Sequence, residues 1–142
     1  MKNIRLAIAQ IGPSLGDLNR NLDLHLEYVR RACDEDADVV MFPEQSLTGY
    51  FLSDLVTEVA VSRNDDRLNP LREASMGIDI VVGFIEETAD HRFVPAAGYL
   101  HKGNWKHIHH KIYLVTYGLF DEARDLAAGS TVRAFTTPIG RQ

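Results

Sequence analysis

The sequence contains a single cysteine, Cys33, and no apolar run near the roughly 18 residues that a membrane span needs. One cysteine excludes an internal disulfide framework and suits a reducing compartment, so we expect a cytoplasmic protein. Met1 leads directly into a strand-like segment, without the basic, apolar and small-residue regions of a signal peptide. These absences argue against a secreted, disulfide-stabilised domain and against a membrane protein.

The sequence also has no excess of basic residues. The formal net charge is -5, and the acidic and basic residues are interspersed. Because nucleic acids and anionic membranes attract basic surfaces, this balance argues against both as partners. Apolar residues make up 45% of the chain, which is ordinary for a globular protein with one core.

Hydrophobic periodicity predicts a βαβ unit followed by antiparallel strands, which fits an α/β or α+β layered domain. The helices are predicted from the N-cap Asp17 to about Asp36 and, more weakly, over Asp54–Met76 with a break near Asn69-Pro70. The first strand is expected to be mostly buried. The predicted strands are Ile4–Ile11, Asp38–Phe42, Ile78–Ile85, Phe93–Leu100, Trp105–His110 and Thr131–Thr137.

The first predicted helix carries an apolar stripe, with His25 on another face. The stripe is expected to include Cys33, where a free cysteine acts as a small hydrophobic residue and not as a nucleophile. Its members are Leu18, Leu22, Leu26, Val29 and Cys33.

Three charged residues are candidates for chemistry. Glu44 directly follows the second predicted strand, where a carboxylate can be held in a partly dehydrated cleft and tuned for proton transfer. Lys111 ends a later strand and could stabilise a developing oxyanion, and Glu122 could pair with it. Taken one at a time, each is better explained as a solvated surface charge.

Several segments together resemble the nitrilase, or carbon–nitrogen hydrolase, superfamily. The most specific is Pro43-Glu44-Gln45-Ser46-Leu47-Thr48-Gly49-Tyr50, followed by Lys111-Ile112-Tyr113-Leu114 and Tyr117-Gly118-Leu119-Phe120-Asp121-Glu122-Ala123-Arg124. Arg5–Gln10 and Gly83–Glu86 are also similar, in the same order. The sequence around Tyr117 most resembles the glutaminase domain of glutamine-dependent NAD synthetases. In those domains a proline often precedes the Tyr-Gly segment, whereas this chain has Val115-Thr116.

The resemblance implies an α+β fold, a four-layer α-β-β-α sandwich, present here as roughly its N-terminal half. It implies hydrolysis of a small-molecule amide or nitrile by a cysteine, with Glu44 as general base, Lys111 at the oxyanion and Glu122 orienting the lysine. Tyr50 and Tyr117 are expected to contact substrate. No metal or cofactor is implied. The expected partners are a second copy in a homodimer and, for an NAD-synthetase-like protein, an ammonia-accepting synthetase domain.

The family nucleophile lies in a Gly-x-x-x-Cys segment beyond the strand ending near Gly140, and this sequence ends at Gln142. We therefore expect residues 1–142 to form a partial domain that is inactive alone. The alternative is a non-catalytic half-domain that acts only by association. A further alternative is a metal site at His107, His109 and His110, although three histidines near a hairpin are more often surface or packing residues.

Overall fold

The computed structural model describes residues 3–141, which form one five-stranded mixed sheet with helices packed on one face. The strand order is β1-β2-β3-β4-β5, and a separate two-stranded hairpin, β6-β7, follows. The strands are β1 Leu6–Ile8, β2 Val39–Met41, β3 Asp79–Glu87, β4 Phe93–His101, β5 Asn104–His110, β6 Thr136–Thr137 and β7 Gly140–Arg141. The helices are α1 Leu18–Asp34, α2 Val56–Val59, α3 Asn69–Ala74 and α4 Glu122–Asp125. The predicted α+β class is confirmed.

The sheet combines two parallel pairings with an antiparallel meander. β1 pairs parallel with β2, and β2 with β3, so α1 forms the crossover of a βαβ unit as predicted. β3, β4 and β5 are antiparallel neighbours. The tight turn between β4 and β5 uses Lys102 and Gly103, both at positive φ (48° and 77°), which suits the twist of the hairpin.

Helix α1 begins where the sequence predicts. The Asp17 side chain accepts a hydrogen bond from the backbone N–H of Arg20 at 3.0 Å, as an N-cap should. The buried side is rotated from the predicted stripe, however. Cys33 is exposed and His25 is fully buried, so both expectations for these residues were wrong. The residues that α1 buries are Leu18, Asn21, His25, Val29 and Ala32.

One face of the sheet is covered by helices and the other is open. Ile80, Val82 and Phe84 on β3 point into the core beneath α1 and α3, and none of them is exposed. On the opposite face, Ile8 is 75% exposed and Met41 41% exposed. Because strand side chains alternate between faces, β1 is half exposed, and the prediction of a mostly buried first strand was wrong.

Two other predicted elements are corrected. The break in the second helical region falls at residues 60–65, and Pro70 lies in the first turn of α3, where its missing N–H costs nothing. The predicted strand Thr131–Thr137 is reduced to β6, because residues 131–135 pair with no strand in the described part of the chain. None of the described helices combines the length and the hydropathy needed to cross a bilayer.

Candidate active site

Three separate elements bring Glu44, Lys111 and Glu122 together. Glu44 follows β2, Lys111 follows β5 and Glu122 opens α4. Lys111 Nζ donates to Glu44 Oε1 at 2.8 Å and to Glu122 Oε1 at 2.9 Å. The backbone of Lys111 is fixed by its N–H on the Pro95 carbonyl and by the Gly129 N–H on its own carbonyl, both at 2.8 Å. The lysine is therefore held between two carboxylates on a rigid strand end.

The two carboxylates differ in their surroundings. The side chain of Glu44 is 53% exposed, whereas that of Glu122 is 5% exposed. Glu122 also accepts the Tyr50 hydroxyl at 2.6 Å on Oε1 and the Val115 N–H at 2.7 Å on Oε2. Glu122 is thus fully engaged and suited to hold Lys111, while Glu44 is free to meet a molecule from solvent.

Charge pairing outweighs burial at this site. Burial alone would lower the pKa of Lys111, but its hydrogen bonds to Glu122 and Glu44 raise that pKa above the ordinary value. Burial would raise the pKa of Glu122, but Lys111, Tyr50 and the Val115 N–H hold it below the ordinary value. Burial, followed by the hydrogen bond to Glu122, raises the pKa of Tyr50 to about 12. At neutral pH the site therefore holds the Lys111 ammonium against the Glu122 carboxylate.

The lowered pKa of Glu122 predicts a specific loss of stability in acid. A carboxyl whose pKa is lower in the folded state contributes stability above its unfolded pKa, about 4.3, and loses it as the pH falls through the folded value. We expect the unfolding free energy, measured with urea, to differ less between pH 3 and pH 7 in Glu122→Gln than in the parent chain. Glu58→Gln, which changes an exposed glutamate on α2, should keep the parent difference. An unchanged difference in Glu122→Gln would contradict the assignment.

A groove of about 640 Å³ opens beside Glu44 and Lys111. It lies on the open face of the sheet, and its walls are mostly apolar. Such a groove can take a small organic molecule and present it to the two charged groups at one end. The apolar lining includes Met41, Phe42, Val81, Pro95, Ala97, Ile112, Tyr113 and Val132.

The turn that carries Glu44 is held from the helix side by residues that the sequence analysis missed. His25 contacts the Asn21 carbonyl through Nδ1 at 2.6 Å and the Ser46 hydroxyl through Nε2 at 2.8 Å. The Asn21 amide donates to the Leu47 carbonyl at 2.9 Å. Burial lowers the pKa of His25 to about 4, so the ring is neutral at pH 7. Its spacing from Asn21, one helical turn, is the sequence signal that could have identified this pair.

The two tyrosines proposed to contact substrate lie in different places. The Tyr50 hydroxyl is occupied by Glu122, so Tyr50 borders the site as part of the network around Lys111. Tyr117 is 75% exposed, lies outside the groove lining and packs edge-on against Phe120. Substrate contact by either residue stays a prediction.

The three histidines of the alternative metal site do not converge. The rings of His107 and His109 are 6.4 Å apart, and His110 instead contacts Glu86. Among residues 3–141, no group of three histidine, cysteine, aspartate or glutamate side chains could hold a metal ion.

Sequence similarity now gives the family. A profile of the carbon–nitrogen hydrolase family matches residues 5–140. The chain belongs to the carbon–nitrogen hydrolase family. It is 33% identical to the glutamine-dependent NAD(+) synthetase of Thermotoga maritima over 91% of its length, and 27% identical to that of Acinetobacter baylyi over 91%. It spans only about a quarter of these relatives, 23% and 24%.

Solved structures of family members share the fold. The glutamine-dependent NAD+ synthetase of Acinetobacter baumannii, solved with ADP, superposes with a TM-score of 0.83 at 27% identity, covering 97% of this chain and 26% of that one. The NitN amidase of Nesterenkonia sp. AN1 superposes at 0.82 with 22% identity, covering 96% and 54%. The fold is therefore the nitrilase fold, and this chain corresponds to about half of the amidase.

Proposed function

We propose that this chain carries the acid–base part of a glutaminase site that supplies ammonia for NAD synthesis. The observation that carries the proposal is the contact of one ammonium, Lys111, with an exposed carboxylate and a buried one, Glu44 and Glu122, beside an open groove. Sequence similarity to glutamine-dependent NAD(+) synthetases favours glutamine as the amide. An ammonia-accepting synthetase domain is then the expected partner.

In this proposal the nucleophile is a cysteine contributed from outside residues 1–142. Glu44 takes the thiol proton, and the thiolate attacks the amide carbon of glutamine. Lys111 donates to the oxyanion of the tetrahedral intermediate, while Glu122 keeps the ammonium in place. The protonated Glu44 then gives its proton to the leaving nitrogen, which departs as ammonia. Water, activated by Glu44, hydrolyses the thioester and releases glutamate and the free thiol.

Cys33 is a poor candidate for this nucleophile. It lies twelve residues along α1 from Asn21, which contacts the Glu44 turn, and this corresponds to about 18 Å of helix. Although Cys33 is exposed, partial burial of its thiol and the charge of Asp34 raise its pKa, so the reactive thiolate is scarce.

Substitution of the proposed base provides the test. In the product of the complete reading frame that contains this sequence, Glu44→Gln is expected to lower kcat for ammonia release from glutamine by about 10²- to 10⁴-fold. Glu58→Gln removes an exposed glutamate on α2 and should leave kcat unchanged. Full activity in Glu44→Gln would refute the role of Glu44, and activity only on amides other than glutamine would refute the substrate.

The open face of the sheet favours a second candidate function, association without catalysis. Leu6, Ile8 and Met41 expose apolar surface there that another polypeptide segment could cover. This candidate predicts no ammonia release by the complete product, and the same assay therefore separates the two.

A further inference from the structure

A second groove lies at the outer edge of β5. The pairing of β5 with β4 shifts register between Trp105 and His107; beyond this shift, Ile108 and His110 share the face that packs against the core beneath the helices. The groove encloses about 360 Å³. Its charged and polar lining residues, besides Trp105, are Arg63, Lys106, His107, His110, Ser130, Thr131 and Arg133.

The charge of this groove is opposite to that of the molecule. The chain has a net charge of -5, yet three permanent cations meet here. One of them is neutralised: Arg63 donates to the buried Glu86 carboxylate from Nε at 2.7 Å and from Nη2 at 3.1 Å. Among the described residues, Lys106 and Arg133 have no carboxylate partner. Two uncompensated positive charges therefore face one cavity.

The Glu86 carboxylate orients the floor of this groove. Its side chain is 1% exposed, and Oε2 also contacts His110 Nε2 at 2.5 Å. Because Arg63 is held in this bidentate pair, its remaining N–H groups have a fixed direction. The Trp105 indole N–H donates to the Arg63 carbonyl at 2.8 Å and fixes the backbone of the same residue.

The opposite wall is formed by a segment that runs close beside β5. The Gly129 N–H donates to the Lys111 carbonyl at 2.8 Å, and a Cβ on Gly129 would lie only 2.5 Å from the Cβ of His110. Glycine at this position allows the close approach. Ser130, Thr131 and Arg133 then line the same groove as Lys106.

We propose that this groove binds a small phosphorylated anion through its phosphate or diphosphate group. Two uncompensated cations match an anion with at least two charges, and the planar guanidinium of Arg133 can bind two phosphate oxygens at once. Lys106 supplies a point charge, and Ser130 and Thr131 add hydroxyl donors. The groove is separate from the proposed glutaminase site, because the two grooves share no lining residue.

Trp105 is the only tryptophan in the chain and lines this groove, so its fluorescence reports on the groove directly. The 142-residue chain would be titrated with sodium pyrophosphate at ionic strength held constant with sodium chloride. We expect a saturable fluorescence change. Lys106→Gln and Arg133→Gln should each weaken the apparent affinity at least about tenfold, since each removes a charged contact. Lys106→Arg, which keeps the charge, should retain binding.

Controls separate this site from general charge attraction. Arg30→Gln removes one exposed cation on α1 and should leave the affinity unchanged. Orthophosphate is expected to bind more weakly than pyrophosphate and to be sensitive to the same two substitutions, and succinate is expected not to saturate. The proposal is wrong if no saturable change occurs, if succinate binds as tightly as pyrophosphate, or if Arg30→Gln weakens binding as much as Lys106→Gln. Far-ultraviolet circular dichroism would establish that each variant is folded.

Discussion

Lys111→Met is expected to lower the free energy of unfolding by about 3 kcal/mol, because it leaves the buried carboxylate of Glu122 without its cation. The same substitution also places two carboxylates, Glu44 and Glu122, near one another without the charge that separates them. Urea unfolding at pH 7 measures the loss. Lys102→Met, which changes an exposed lysine in the β4–β5 turn, should stay within about 0.5 kcal/mol of the parent.

A double-mutant cycle isolates the contact itself. If the cost arises from a stranded carboxylate, Lys111→Met should destabilise a Glu122→Gln chain much less than it destabilises the parent. We expect a coupling energy of about 1–3 kcal/mol between the two positions. Additive effects would show that Lys111 stabilises the fold independently of Glu122.

The same lysine should matter more for turnover than for binding. In the complete protein, Lys111→Met is expected to lower kcat for ammonia release by about 10²- to 10³-fold, the usual cost of losing one oxyanion donor. A change confined to KM would instead place Lys111 in ground-state binding.

Gly83→Ala is expected to destabilise the chain by more than about 2 kcal/mol. A Cβ at this position on β3 would lie 2.5 Å from the Gln45 nitrogen and 2.6 Å from the Pro43 oxygen. Both are backbone atoms of the turn that carries Glu44, so the clash cannot be relieved by rotating a side chain, and overpacking of this kind costs about 1–3 kcal/mol or more.

Gly77→Ala is the matched control, because a Cβ there would meet nothing within 4 Å. Urea unfolding should show little change for this variant. Equal destabilisation of the two alanine variants would indicate a general loss of glycine flexibility and not a clash at the turn.

Local sequence was sufficient to predict the strands that precede Glu44 and Lys111, whereas helix α4, which carries Glu122, was not predicted. Glu44 follows a short apolar strand. Lys111 follows a strand that begins at a recognisable hairpin turn, so nearby residues are enough to predict both positions. Their meeting with Glu122 could be expected only from the family resemblance, since Lys111 and Glu44 are 67 positions apart. Contacts over such distances leave no periodic signal.

The errors have a common physical origin. Burial of His25 was not predicted, because Ser46, the residue that its ring contacts, lies 21 residues away in the sequence. The helix therefore buries a polar pair, and Cys33 rotates to the surface. In β1, the β-branched and apolar residues predicted a buried strand, but one face of β1 has no covering layer. In residues 131–135, similar residues predicted a strand, but this segment does not pair with another described strand. Strand preference depends on such neighbours.

The mixed pairing of the sheet has a consequence for the order of folding. The β3–β4–β5 meander closes through short turns, whereas the pairing of β1 with β2 joins residues about 33 positions apart, Leu6 with Val39. Long loops are entropically costlier to close, so the meander should form early and the parallel strands late. Strand β5, which precedes Lys111, would then be in place before β2 positions Glu44, and the ion pair at the candidate site would be completed at the end of folding.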